Sequence, residues 1–312
     1  MNKITFYLDE VENVLNKNHQ SPICAEVDPS NYCNNRCSFC CFSDFINANQ
    51  EHLSMELYTK FLKEFVSLGG KAITFTGGGE PLMSPYFIKM AQMAKNRRLS
   101  IGLVTNGTLL NRIEGFESLF RFIRISLNAA TPEVYQEIHG TDFFHKVIRN
   151  IAAILKLKDR PHVGISFVTC EKNKHQIKDI VTIGENLGVE YVHVKPDIHN
   201  ENLELDGASE GIKITSSLKL SSRFGKLPCA IAGLVFILNA TGDVYYCCVQ
   251  RGNPDFRLGK INNFCVSDFV RIREKFTPDI SQCTTCRYTT YAEHYEKYKG
   301  NGYIFLRHKE FL

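Results

Sequence analysis

No apolar run in the chain approaches membrane-spanning length, and the opening is not that of a signal peptide. Residues 1–18 mix Asp9, Glu10 and Glu12 with scattered apolar side chains, where a signal peptide would place basic and then apolar residues. A cytoplasmic protein that does not enter the membrane is the expectation. Internal repeats and low-complexity segments are also missing, and a 44% hydrophobic composition is too apolar for disorder. Net charge is small: 37 Lys and Arg stand against 33 Asp and Glu, a formal +4 with no visible basic groove, so nucleic acid is not the expected partner. The basic runs at residues 95–98 and 156–160 fall where helices are expected to end, and cations there complement the helix dipole.

Cysteine is what the chain has in quantity. Twelve cysteines without a secretion signal argue for metal or redox chemistry in a reducing compartment rather than for a disulfide framework. Three of them, Cys33, Cys37 and Cys40, lie in the run Tyr32-Cys33-Asn34-Asn35-Arg36-Cys37-Ser38-Phe39-Cys40. A four-iron cluster held for electron transfer or structure takes four cysteines, so three thiolates leave one iron free to bind a substrate or cofactor. Zinc is the competing occupant, and Cys41 would be its fourth ligand.

The run resembles the CxxxCxxC signature of the radical S-adenosylmethionine (radical SAM) superfamily, including the aromatic Phe39 before the last cysteine. The resemblance implies a [4Fe-4S] cluster on Cys33, Cys37 and Cys40. It also implies S-adenosylmethionine (SAM) chelated to the open iron and cleaved reductively to a 5′-deoxyadenosyl radical. Thr76-Gly77-Gly78-Gly79-Glu80-Pro81 follows one βα unit later and resembles the family's GGE motif. Phe39, Gly78, Gly79 and Glu80 are then cofactor contacts, with Glu80 at the methionyl amino group. On the same resemblance Ser126 and Asn128 match the region that meets ribose and carboxylate, although aspartate is common where Asn128 stands. Asn106, Ser166 and Val194 are further cofactor-binding candidates.

The fold expectation comes from periodicity. Short β-branched or apolar runs near residues 23–27, 72–75, 100–104, 122–127, 163–168 and 191–194 alternate with helical patterns. Leu57, Phe61, Phe65 and Val66 share one helix face, as do Phe144, Val147, Ile148, Ile151 and Leu155. Ser84-Pro85 and Thr131-Pro132 each read as an N-cap followed by proline at the first helical position. Six βα units cannot close an eight-stranded barrel. The expected core is therefore a partial (β/α)6 barrel over residues 21–200, laterally open, with chemistry at the carboxyl ends of its strands. Residues 1–20 are a lead segment.

Periodicity breaks after Pro196, which places a domain boundary near residue 200. Within residues 201–312, two apolar runs flank Asn239-Ala240-Thr241-Gly242 as a hairpin, and a helix is expected around residues 266–276. Cys229, Cys247, Cys283 and Cys286 supply four thiolates from a hairpin and a CxxC, enough to close a second cluster. A zinc ribbon would use the same spacing. The arrangement resembles the SPASM extension of radical SAM enzymes or its shortened twitch form. No cysteine follows Cys286, so the twitch form with one auxiliary [4Fe-4S] cluster is expected. With three thiolates on one 2+ core and four on another, the clusters add −1 and −2, and the formal +4 becomes about +1.

Five cysteines remain, and buried inert thiols are the usual explanation. Some radical SAM epimerases return a hydrogen atom from a free cysteine, which makes Cys248 and Cys265 the candidate catalytic donors. Lys195, Asp197 and His199, just past the sixth strand, are placed to touch substrate. The resemblance implies a small-molecule substrate (sugar, aminocyclitol or nucleotide; oxidation, epimerisation or dehydration) and an external electron donor such as flavodoxin or ferredoxin. A ribosomally made peptide is the alternative substrate. A zinc-binding module and a ferredoxin-like electron carrier are the readings of another class.

Overall fold

The computed structural model describes residues 6–197, 212–214, 225–283 and 285–298. Its strands are β1 (Cys24–Val27), β2 (Ala72–Phe75), β3 (Ser100–Thr105), β4 (Phe122–Ser126), β5 (His162–Thr169), β6 (Tyr191–Pro196), β7 (Ile212–Ile214), β8 (Val235–Leu238), β9 (Asp243–Tyr245) and β10 (Arg257–Lys260). The helices are α1 (Leu8–Leu15), α2 (Ser43–Ala48), α3 (Met55–Ser67), α4 (Phe87–Asn96), α5 (Pro132–His139), α6 (Phe144–Leu155), α7 (Ile177–Leu187), α8 (Leu227–Ala232), α9 (Val266–Lys275) and α10 (Thr289–Tyr298).

The six expected strands pair in parallel, each with its sequence neighbour, and give the laterally open partial barrel. Alternation along a strand decides which side chains meet the covering helices. In β4, Ile123 and Ile125 are wholly buried, while Phe122, Arg124 and Ser126 are half-buried on the opposite, inner face. Phe61, Phe65 and Phe75 join the outer layer, with the Phe61 and Phe65 rings stacked 5.3 Å apart. Each such buried ring contributes about 2–3 kcal/mol of transfer free energy.

Three elements depart from expectation. No α-helix joins β3 to β4; two 3-10 turns, Leu110–Ile113 and Glu117–Leu119, make that connection. Thr131 caps α5 as expected, accepting from the Val134 amide, but α4 begins at Phe87 because the Ser84 hydroxyl accepts from the Tyr86 amide and holds a turn first. Within the lead segment, α1 packs its buried Val11 into one apolar cluster with Ile231 of α8 and Ala292 of α10.

The expected hairpin forms: β8 and β9 are antiparallel, and the Asn239 carboxamide oxygen accepts from the Thr241 and Asp243 amides across the turn. Gly242 lies at φ +80°, a region that favours glycine. Strand β8 also pairs in parallel with β1, so the hairpin continues the barrel's own sheet. That pairing brings the later cysteines beside the strand that feeds the first cysteine loop.

Candidate active site at the strand ends

The cysteine loop leaves β1 and is fastened by its backbone. Arg36 and Ser38 amides donate to the carbonyls of His139 and Ile138 at the end of α5, and the Cys40 amide donates to the Cys37 carbonyl. Cys33, Cys37 and Cys40 are all half-buried. Burial pushes the Cys33 thiol up to about 11 and Cys37 up to about 12; for Cys37 the charges of Cys33 and Cys40 add to it. A bound cation reverses that logic, because thiols coordinate as thiolates. The donor set therefore fits an iron–sulfur cluster. Among the described residues, no three His, Cys, Asp or Glu side chains converge to hold a single metal ion. Thiolates on a cluster bind different irons and stand further apart than ligands of one ion.

The glycine loop after β2 lies directly against this loop. A Cβ on Gly79 would stand 2.4 Å from the Tyr32 carbonyl oxygen, and one on Gly78 would stand 2.9 Å from Ile46. The Glu80 amide donates to that same Tyr32 oxygen at 2.8 Å. Glu80 is buried; its carboxylate accepts from the Thr105 hydroxyl at 2.7 Å and from the Asn106 and Leu82 amides at 2.8 and 3.1 Å. Burial raises its pKa, and these bonds partly offset the rise. The Asn106 side chain donates to Asn34 Oδ1 at 2.8 Å, tying the end of β3 to the cysteine loop. Phe39 is half-buried, its ring edge-on to His139 with centroids 6.4 Å apart.

The candidates on later strands divide. Ser126 and Ser166 are register partners on the inner face of β4 and β5. Asn128 is buried, its Oδ1 accepting from the Val168 amide at 2.7 Å, so its side chain is committed to fastening β4 to β5. Val194 points into the helix-facing core, which leaves only its backbone to meet a ligand. Asp197 is buried at the end of β6, and His199 lies outside the described residues.

The other cysteines also divide. Cys229 on α8, Cys247 just after β9, and Cys283 and Cys286 before α10 line one apolar pocket with Tyr246, Phe256 and Ile280. Burial pushes Cys229 up to about 11, with the charges of Cys286 and Cys283 adding to it. Cys248 is buried beside that pocket, 3.4 Å from an Arg287 guanidinium nitrogen and 3.7 Å from the Tyr288 hydroxyl. A hydrogen bond from a protonated Cys247, and then the Arg287 and Arg251 charges, hold it below the ordinary thiol range; a Cys247 bound as a thiolate no longer donates, and that lowering is lost. Cys265 corrects the pairing of the two as hydrogen donors. It is exposed and caps α9, whose Phe269 packs against Phe236 in the outer layer, on the far side of the sheet from the barrel interior.

Sequence reasoning missed the residues that lock these parts together. Glu26, inner-facing on β1, takes Arg287 at 2.5 Å and Arg251 at 3.1 Å, and Arg251 also meets Asp28 at 2.9 Å. Burial pushes Asp28 up to about 6 despite Arg251. His139 is buried with Nδ1 3.1 Å from Cys37 Sγ. Alternation along β1 would have marked Glu26 as inner-facing; no sequence signal tied His139 to Cys37, 102 positions away.

A family model described as the Radical SAM superfamily matches residues 27–183. A probable GTP 3′,8-cyclase of Sulfurisphaera tokodaii is 28% identical over 171 residues, 54% of this chain and 54% of that protein. The GTP 3′,8-cyclase of Pseudomonas savastanoi pv. phaseolicola is 29% identical over 174 residues, 53% of this chain and 51% of that protein. The chain thus matches about half the length of these curated relatives. Among solved structures, Streptococcus suis SuiB bound to precursor peptide SuiA superposes with a TM-score of 0.65 at 14% identity, covering 90% of this chain and 73% of that one. Native anSMEcpe with bound AdoMet and a Kp18Cys peptide gives 0.57 at 15% identity, covering 89% and 97%. At such identities the likeness is one of fold.

Proposed function

Because the chain belongs to the radical SAM superfamily, and is on that ground an enzyme, we propose that it abstracts hydrogen from a small molecule and returns it from Cys248. When bound, a [4Fe-4S] cluster and SAM supply the 5′-deoxyadenosyl radical. Cys33, Cys37 and Cys40 hold that cluster in this reading. The observation that carries it is the docking of the cysteine loop on the glycine loop through Glu80 and Asn106, at the carboxyl ends of β2 and β3.

Gly78 and Gly79 let the backbone approach a ligand, and Glu80 presents a fixed carboxylate. Ser126 and Ser166 offer hydroxyls on the inner face. Cys229, Cys247, Cys283 and Cys286 hold an auxiliary cluster of the twitch type, the apolar pocket excluding water from it. Cys248 lies between that pocket and the Glu26 pair inside the barrel. Its S–H bond breaks homolytically, the hydrogen joins the substrate carbon radical, and the resulting thiyl takes one electron from an external one-electron donor of the flavodoxin or ferredoxin class and one proton from solvent. Epimerisation is the outcome this favours.

The test is anaerobic reconstitution with iron and sulfide, followed by dithionite and SAM. 5′-Deoxyadenosine is expected, together with about eight irons and eight sulfides per chain. Zinc without sulfide, or no 5′-deoxyadenosine from fully loaded protein, would defeat the proposal. Cys248→Ser should still yield 5′-deoxyadenosine but no deuterium incorporation into substrate from heavy water, whereas Cys265→Ser should behave as the parent.

A further inference from the structure

Among the described residues, the inner face of the barrel carries two cations that have no acid paired with them. Glu26 and Asp28 are occupied by Arg251 and Arg287. Arg124 on β4 and Lys195 on β6 lie on the same inner face, as strand alternation and register require. Ser126, two residues after Arg124, pairs with Ser166, and Ser166 pairs with His193, two residues before Lys195. Both cations are half-buried, and neither has a hydrogen bond or an ion pair with any acid among the described residues. Burial, then the Arg124 and Arg287 charges, oppose the Lys195 ammonium, and the thiols Cys41 and Cys248 favour it. Two like charges sharing a partly desolvated chamber cost free energy that only an anion recovers. Folding alone gives no reason to keep them there.

We infer that Arg124 and Lys195 form the anion-binding part of the substrate pocket, so that the substrate carries a phosphoryl or carboxylate group; this rests on reading the barrel interior as the reaction chamber. Arg124 presents a planar fork to two oxygens and Lys195 a compact charge from two strands away, an arrangement that suits a multi-oxygen anion. Arg124 sits one inner-face position below the level of Ser126 and Ser166, and Lys195 one above it at the end of β6, so the two cations bracket that level from below and above. A substrate held there has its anion within range of Cys41, which adjoins the cysteine loop, and of Cys248, two thiols whose charges reach Lys195.

The experiment uses the full chain, anaerobically loaded and first checked for 5′-deoxyadenosine release, so that failure of the radical reading is scored separately. Pyrophosphate and malonate are titrated calorimetrically at about 50 mM salt, where screening is moderate. Acetylation of Lys195, read by peptide mass, gives a second measure. One probe is expected to bind saturably and to protect Lys195. Saturation by pyrophosphate assigns a phosphoryl group, and saturation by malonate a carboxylate. Arg124→Gln and Lys195→Gln should each weaken that binding by roughly tenfold or more, as loss of a charge-assisted bond implies. Arg124→Lys and Lys195→Arg, which keep the charge, should retain most of it and so separate charge loss from misfolding. Labelled SAM should bind all four variants within about twofold of the parent. The inference is overturned if neither probe saturates, if the neutral variants bind like the parent, or if SAM binding falls tenfold with them, which would give the pair to the cofactor carboxylate.

Discussion

Replacing Gly79 by alanine tests whether the contact between the two loops builds the site. The added Cβ would stand 2.4 Å from the Tyr32 carbonyl oxygen and 2.6 Å from the Asn31 carbonyl carbon. Real Cβ atoms essentially never approach closer than 3.0 Å, so the loops must part by at least 3.0 − 2.4 = 0.6 Å. Both obstacles are backbone, so no side chain can swing away. Overpacking of this kind costs about 1–3 kcal/mol. The same displacement strains the 2.8 Å bond from the Glu80 amide to Tyr32, worth about 1 kcal/mol more. A total near 2–4 kcal/mol should lower the melting temperature by several degrees. Because Tyr32 adjoins Cys33, iron bound at the first cysteine loop should fall as well. Gly77→Ala is the control, its nearest neighbours being 3.3 Å away. Thermal unfolding with iron analysis of both variants decides: Gly79→Ala melting and loading like Gly77→Ala would refute the reasoning.

Alanine at Cys33, Cys37 or Cys40 should abolish 5′-deoxyadenosine formation while leaving about four of eight irons on the later quartet, measured as iron per chain; retained cleavage would sink the ligand assignment. His139→Phe should lower the first cluster's reduction potential by a few tens of millivolts in an electron paramagnetic resonance titration. A bound Cys37 thiolate can only accept, so in the loaded protein the Nδ1–H 3.1 Å away donates to it rather than Nδ1 accepting from the Asn35 amide 3.3 Å away, and about 1 kcal/mol corresponds to about 40 mV for one electron. An unchanged potential would show that the bond does not form in the loaded protein. Lys195→Met should stabilise the protein at neutral pH. Burial, then the Arg124 and Arg287 charges, pull the lysine down to about 8 from an ordinary value of 10.5. Between those values the unfolded chain binds more protons, so the parent gains stability as pH rises from about 8 to 10.5, and the variant's advantage should fade across that window. Denaturant melts at several pH values check this, and a pH-independent difference would refute it.

Local spacing determined much of this protein. Cys33, Cys37 and Cys40 fall within eight residues, so their joint role is written in one loop, and the six strands are legible because apolar alternation is a local property. The glycines before Glu80 are equally visible, although what they approach is not. Tertiary structure decided which of the other cysteines are buried near the first strand and which face solvent. Cys248 and Cys265 look alike as sequence, yet parallel pairing of β8 with β1 turns one toward the barrel, while the cap of α9 leaves the other in solvent. Arg124 and Glu26 read only as charges in short strands; strand alternation sends both inward, and among the described residues Glu26 meets ion-pair partners there, from residues 251 and 287, while Arg124 does not. Whether a buried charge is neutralised depends on contacts more than two hundred positions apart, and spacing carries no record of those. The sequence by itself therefore determined where the three-cysteine loop stands on the scaffold. Only the packed barrel decided which thiol and which cations share a chamber with it, because burial and charge pairing exist only once distant strands meet.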